Sequence, residues 1–290
     1  MTFNDNARSS GSRVSKRGRN TGLAVGGGGV GLIVILLVSS FLGVDLSGLV
    51  GGDALGGGGA ASQDSPLEGC ETGADANAVV ECRLDFTAQS LDDFWAQELG
   101  SGYALPEFVL FEQSVSTACG SATSAVGPFY CPGDSTVYLD VSFYDELRSR
   151  FGAEGGPLAQ MYVVGHEWGH HIQNITGVMD RVKRGDSGPT SDSVRLELQA
   201  DCLAGAWVGG ASSVPDANGQ TLLEPVTRAQ VQDALNAASV IGDDRIQSSA
   251  GGEVDPHTWT HGSSEQRQRW FEAGYEGGTG ACDTFAAQTL

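Results

Sequence analysis

Val164-Gly165-His166-Glu167-Trp168-Gly169-His170-His171-Ile172-Gln173 is the stretch on which both the fold and the chemistry turn. Gly155, Gly156 and Pro157 break the chain before it, and Pro157 suits a first helical turn. Gly177 follows it as a stop signal, so the spacing predicts a helix over residues 158–175. On a helix His166 and His170 lie one turn apart on one face, where both imidazoles can reach a single metal ion. Imidazole nitrogens suit zinc, which prefers tetrahedral nitrogen, oxygen and sulfur sites. Glu167 projects beside such an ion rather than onto it. There it can take a proton from an attacking water and hand it to the leaving amine. Gly169 costs about 1 kcal/mol in mid-helix, so its place implies a close approach by a backbone or a substrate. Three of the five histidines fall within six residues, for which packing supplies no reason.

A catalytic zinc ion usually takes three protein ligands and keeps one position open. The third is sought on the next helix, expected over 193–208. Glu197 stands 27 residues after His170, with Asp201 one turn beyond on the same face. Ala200, Leu203, Ala204 and Trp207 make that helix look buried, and a buried carboxylate needs a partner. Glu197 is therefore the expected third ligand. Asp201 is expected to accept the ring N–H of a ligand histidine and so to set its tautomer. His171 points about 100° away from His170 and reads as structural. His261, just before another predicted helix, is placed to donate to the oxyanion of a scissile carbonyl; a loop histidine is the plain alternative.

Working outward, an amphipathic helix falls within 80–100, with Leu91, Phe94, Trp95 and Leu99 at helical spacing. Residues 108–111 and 136–139 read as short strands, and 145–151 as a helix. A helix over 227–241 has Thr227 as its N-cap, and Ser263 with Gln266 forms a capping box for a last one. The fold class is α+β, mostly helical with a small sheet.

The net charge of −20 is unevenly distributed. Residues 1–22 carry Arg8, Arg13, Lys16, Arg17 and Arg19 against Asp5, a net +4, which leaves −24 for the rest. So acidic a body repels phosphate backbones and argues against nucleic-acid binding. No charge occurs between Arg19 and Asp45, and the stretch from Leu23 onward supplies the roughly 20 apolar residues that span a bilayer. Basic residues precede it, which places the N-terminus in the cytoplasm. The expected order is a basic cytoplasmic tail over 1–22, one transmembrane helix over 23–44, a Gly/Ser-rich linker over 45–66, and an extracytoplasmic domain over 67–290. Cys70, Cys82, Cys119, Cys131, Cys202 and Cys282 all follow that apolar stretch, which suits three disulfides in an oxidising compartment. Six cysteines allow 15 pairings; neighbour pairing would leave Cys202 with Cys282.

His166-Glu-Trp-Gly-His-His-Ile-Gln173, Glu197-Leu-Gln-Ala-Asp-Cys-Leu-Ala-Gly205 and Thr260-His-Gly-Ser-Ser-Glu-Gln-Arg267 together resemble the bacterial neutral zinc metallopeptidase family. Gly127-Pro-Phe-Tyr-Cys-Pro132 and Val137-Tyr-Leu-Asp140 resemble it as well. The order H-E-x-x-H, E-x-x-x-D, T-H is also similar to the gluzincin peptidases related to prenyl-protein endopeptidases. That resemblance implies one catalytic Zn2+ held by His166, His170 and Glu197, with Asp201 supporting a ligand histidine and His261 near the substrate carbonyl. It implies a zincin-like fold whose edge strand binds an extended peptide, with 136–140 or 108–111 as that edge. The expected function is a membrane-anchored zinc metallopeptidase acting on a peptide or protein, with no obligate protein partner. A non-catalytic metal-binding scaffold and a zinc amidase for cell-wall peptides are the alternatives. Glu167 has no role in the first, and no wall-binding module speaks for the second.

Overall fold

The computed structural model describes residues 2–17, 64–183, 185–215, 219–249, 251 and 253–290. Within them the strands are β1 (Val14–Arg17), β2 (Asp64–Pro66), β3 (Glu107–Phe111), β4 (Ser114–Thr117), β5 (Gly120–Thr123), β6 (Phe129–Cys131) and β7 (Thr136–Leu139). The helices are α1 (Gly73–Ala78), α2 (Val80–Leu99), α3 (Phe143–Ser149), α4 (Pro157–Ile175), α5 (Asp192–Gly210), α6 (Arg228–Val240), α7 (Asp243–Ser249) and α8 (Ser264–Gly277). The expected mixture of helices and a small sheet is what forms.

Local signals explain the helix ends. Pro157 occupies the first turn of α4, where its missing N–H costs nothing. Gly177 leaves that helix with φ of 73°, a conformation open to glycine. Thr227 and Ser263 cap α6 and α8, each in a reciprocal box with the Gln three residues on. Helix α7 was not anticipated, and its seven residues are too few to show a periodic pattern.

The main sheet has the order β2-β1-β3-β7-β6. Strands β1, β3 and β7 run parallel, while β2 and β6 close the two sides antiparallel. This corrects the expected edge. Residues 108–111 and 136–139 lie inside the sheet, and every residue of β7 is buried, as strands covered on both faces are. The edge is β6. Strands β4 and β5 form a separate hairpin, tied to the end of β7 by Asp140, which accepts from Gln113 N at 3.0 Å and from Ser124 Oγ.

The N-terminal segment also departs from expectation. The domain does not begin near Leu67, because residues 2–17 are built into it. Val14 to Arg17 pair with Phe108 to Phe111, and Arg17 pairs with Asp64 of β2. Asp85 of α2 is fully buried and accepts from Arg13 N at 2.7 Å, Val14 N at 3.0 Å and Ser12 Oγ at 3.0 Å. Arg13 Nε reaches Asp92 at 2.5 Å, and its NH2 group donates to Pro106 O. Phe3 is buried edge-on against Phe86 at 5.4 Å between centroids. The basic residues that read as a topological signal thus have partners in the domain: Asp92 for Arg13, and Glu81 for Lys16 at 3.4 Å. The expected transmembrane helix over 23–44 lies outside the described residues, as do positions 45–63 of the linker. Among the described residues no helix is long and apolar enough to cross a membrane.

All six cysteines are bonded, as Cys70–Cys82, Cys119–Cys131 and Cys202–Cys282. This is the neighbour pairing. Loop-closure entropy assigns about 3 kcal/mol to each bond across 12 residues and about 4.5 kcal/mol to the one across 80.

Candidate metal centre

Helices α4 and α5 pack side by side because α4 presents glycines to its neighbour. A Cβ on Gly169 would stand 2.9 Å from Ala200 Cα, and one on Gly165 would stand 3.2 Å from the Trp207 ring. The close approach inferred for Gly169 is therefore that of another backbone. It brings the Glu197 and Asp201 turn of α5 against the His166 and His170 turn of α4.

His166 Nε2 lies 3.1 Å from Glu197 Oε2, and His170 Nε2 lies 3.5 Å from Glu197 Oε1. All three donor atoms fall within 4.8 Å of one another, and all three side chains are buried. Nitrogen and oxygen ligands about 2.0–2.1 Å from a tetrahedral zinc ion stand about 3.3 Å apart. The two observed spacings bracket that value, so the three residues fit one ion. Among the described residues the set has three members, the number of protein ligands that a catalytic zinc site uses.

Hydrogen bonds behind the ligands turn their donors inward. His166 Nδ1 meets Asp201 Oδ1 at 2.8 Å, which fixes the proton on Nδ1 and leaves Nε2 facing Glu197. Asp201 is fully buried. It also receives Tyr162 OH at 2.5 Å and a two-pronged grip from Arg267, Nε at 2.8 Å and NH2 at 2.9 Å. Burial would raise the Asp201 pKa, but Arg267 and His166 outweigh it and hold it at about 2. Burial would likewise lower His166; Asp201 and Glu197 overcome it and push it up to about 10. His170 Nδ1 meets Gln173 Oε1 at 2.8 Å, and Gln173 is held in turn by its donation to Leu196 O at 2.7 Å.

Glu167 stands beside the cluster without belonging to it. Burial raises its pKa, against the lowering influence of both histidines and of a hydrogen bond from the backbone of Tyr130 on the edge strand β6. A carboxyl shifted towards neutrality suits proton transfer. His261 lines the same cavity as His166, Glu167, His170 and Glu197. Its Nδ1 is engaged by Asp243 at 3.3 Å and Thr260 Oγ1 at 3.0 Å. Burial would lower its pKa, but the Glu197 and Asp243 carboxylates prevail and raise it. His171 is apart, buried between Tyr130 OH at 3.0 Å and Ala104 O at 2.6 Å. His257 is exposed.

The structure thus brings together Glu167, His166, His170, Glu197, Asp201 and His261. Tyr162, Gln173 and Arg267 escaped sequence reasoning as parts of the site. Tyr162 and Gln173 left a faint signal, one turn before His166 and three residues after His170. Arg267 closes the Thr260–Arg267 run quoted above, but its role was not legible, because its partner Asp201 is 66 residues away.

The description "Putative neutral zinc metallopeptidase" belongs to a family model that matches residues 2–285. An "Uncharacterized protein" of Mycobacterium tuberculosis is 50% identical over 226 residues, 77% of each chain. The "Uncharacterized protein YpfJ" of Escherichia coli K12 is 37% identical over 290 residues, covering 97% of this chain and 94% of its own. No solved structure matches.

Proposed function

The chain belongs to the neutral zinc metallopeptidase family, and from that membership we propose that it hydrolyses peptide bonds with one zinc ion held by His166, His170 and Glu197. The observation that carries this reading is the three-donor cluster with Glu167 beside it at a cavity. When bound, zinc supplies a Lewis acid that brings a water's pKa to near 7 and polarises a carbonyl. Glu167 takes the proton from the attacking water and passes it to the departing amine. His261, turned by Asp243 and Thr260, donates to the oxyanion that develops on the carbonyl. Asp201 and Gln173 keep the two imidazoles in the tautomer that offers Nε2. The short antiparallel edge β6, next to the cluster-bearing helix, supports a zincin-like arrangement in which an extended peptide adds to that edge.

We place the action outside the cytoplasm, on the strength of three disulfides in one chain. A single crossing over 23–44 with a cytoplasmic N-terminus is not part of this proposal. A strand hydrogen-bonded to β3 lies on the same side of a membrane as β3.

A peptide-library cleavage assay on the full chain, with and without chelator, tests the reading. Cleavage that disappears on chelation and returns with zinc, at about one ion per chain, is the expected result. A zinc-loaded protein that cuts nothing would leave a metal-binding scaffold as the better account.

A further inference from the structure

The cavity that opens on the metal cluster has a volume of about 140 Å³. Its floor carries His166, Glu167, His170 and Glu197, and its walls come from elements far apart in sequence. Val126 and Phe129 line it from the approach to β6 and the strand itself. Phe143 and Phe151 line it from either end of the α3 region, and Ile241 and Ile246 from the end of α6 and from α7. Six apolar side chains therefore face a space beside the residues assigned to hold zinc. The wall also includes two charged side chains, and each already has a partner. Arg267 grips Asp201, and Glu146 pairs with Arg150 at 3.1 Å.

From the lining of this cavity we propose a specificity rule: the enzyme requires a bulky uncharged apolar side chain, of leucine, methionine or phenylalanine size, on a residue flanking the scissile bond. The inference rests on the peptidase reading and adds the class of peptide taken. Size supports it, because an apolar cavity of about 150 Å³ holds a benzene ring. So does position. Phe129 of β6 and Ile246 of α7 line the same cavity as His166, His170 and Glu197, which puts apolar lining beside the scissile bond of a peptide added to that edge. A charged side chain there would exchange its hydration for a largely apolar lining. A hydrophobic pocket that loses the contacts of several methylenes discriminates by about 10- to 100-fold.

The test uses the full-length zinc-loaded protein and a random peptide library, with cleavage positions read by mass spectrometry. Leucine, methionine and phenylalanine should be enriched about 10-fold or more over alanine and aspartate at one position next to the cut. Ile246→Trp should then fill the cavity. It should lower cleavage after or before the large residues by about 10-fold and favour alanine or glycine there, with zinc content and melting temperature unchanged. Phe143→Ala should widen the preference towards tryptophan. Efficient cleavage with no side-chain preference, or a preference that Ile246→Trp leaves unmoved, would overturn the pocket's role while the peptidase reading stands. A zinc-loaded protein that cleaves no peptide would overturn both.

Discussion

Two buried aspartates divide this molecule. Asp201 on α5 and Asp85 on α2 are both fully buried, and both are saturated with hydrogen bonds. Asp201 binds an imidazole, a phenol and a guanidinium, and its work is to aim His166. Asp85 binds the main chain and a hydroxyl of residues 12–14, and its work is to seat the N-terminal segment beside β3. A glycine clears the way at each place. Gly169 admits Ala200, and Gly73 admits Asn4, whose carbonyl oxygen would lie 2.0 Å from an added Cβ. A buried carboxylate and a close-packed glycine recur in both regions, behind the three-donor cluster in one and under residues 2–17 in the other.

The two regions are physically linked. Arg13 meets Asp92, Tyr103 OH donates to Asp92 at 2.5 Å, and Trp168 Nε1 donates to Tyr103 OH at 2.9 Å. Trp168 lies between the two histidines on α4, so the N-terminal segment braces the back of the helix that carries them.

The largest expected effect isolates chemistry from both regions. Glu167→Gln should keep about one zinc per chain and lower kcat by about 10²- to 10⁴-fold; an undiminished rate in a peptidase assay would remove Glu167 from the mechanism. The next contrast sets the aspartates against each other. Asp201→Asn should weaken zinc binding about 10- to 100-fold in a competition titration. Asp85→Asn should leave zinc affinity within about twofold and lower stability by about 2–4 kcal/mol in denaturant melts. If both variants lose zinc equally, the division drawn between the two regions does not hold.

The glycines sharpen the same contrast on a smaller scale. Gly169→Ala and Gly73→Ala should each cost about 1–3 kcal/mol by overpacking. Only the former should also reduce zinc affinity, because it moves α5 away from α4. The last test changes stability least. Arg8 and Thr72 form an antiparallel bridge, so an Arg8→Cys, Thr72→Cys double variant should form a new disulfide in the exported full-length protein. The cross-link would appear as a mobility shift on non-reducing gels. A cytoplasmic N-terminus cannot form it, and a bright N-terminal fluorescent-protein fusion that matures only in the cytoplasm would sink the shared-side placement.

Local periodicity was enough to put His166 and His170 on one face, Glu167 beside them, and Glu197 and Asp201 on one face of the next helix. Caps at Thr227 and Ser263 were likewise legible, because capping is a matter of three or four neighbouring residues. These features depend on 3.6 residues per turn and nothing farther away. Tertiary structure alone decided what lies between distant segments: Arg267 behind Asp201, β1 beside β3, and β6 rather than β7 at the sheet's edge. It also turned a basic stretch that reads as a topological signal into a set of partners for Asp92 and Glu81. A strand of four residues carries too short a pattern to name its neighbour, and a lone arginine none at all. Their places follow from which buried donors and acceptors must find one another once the core has closed.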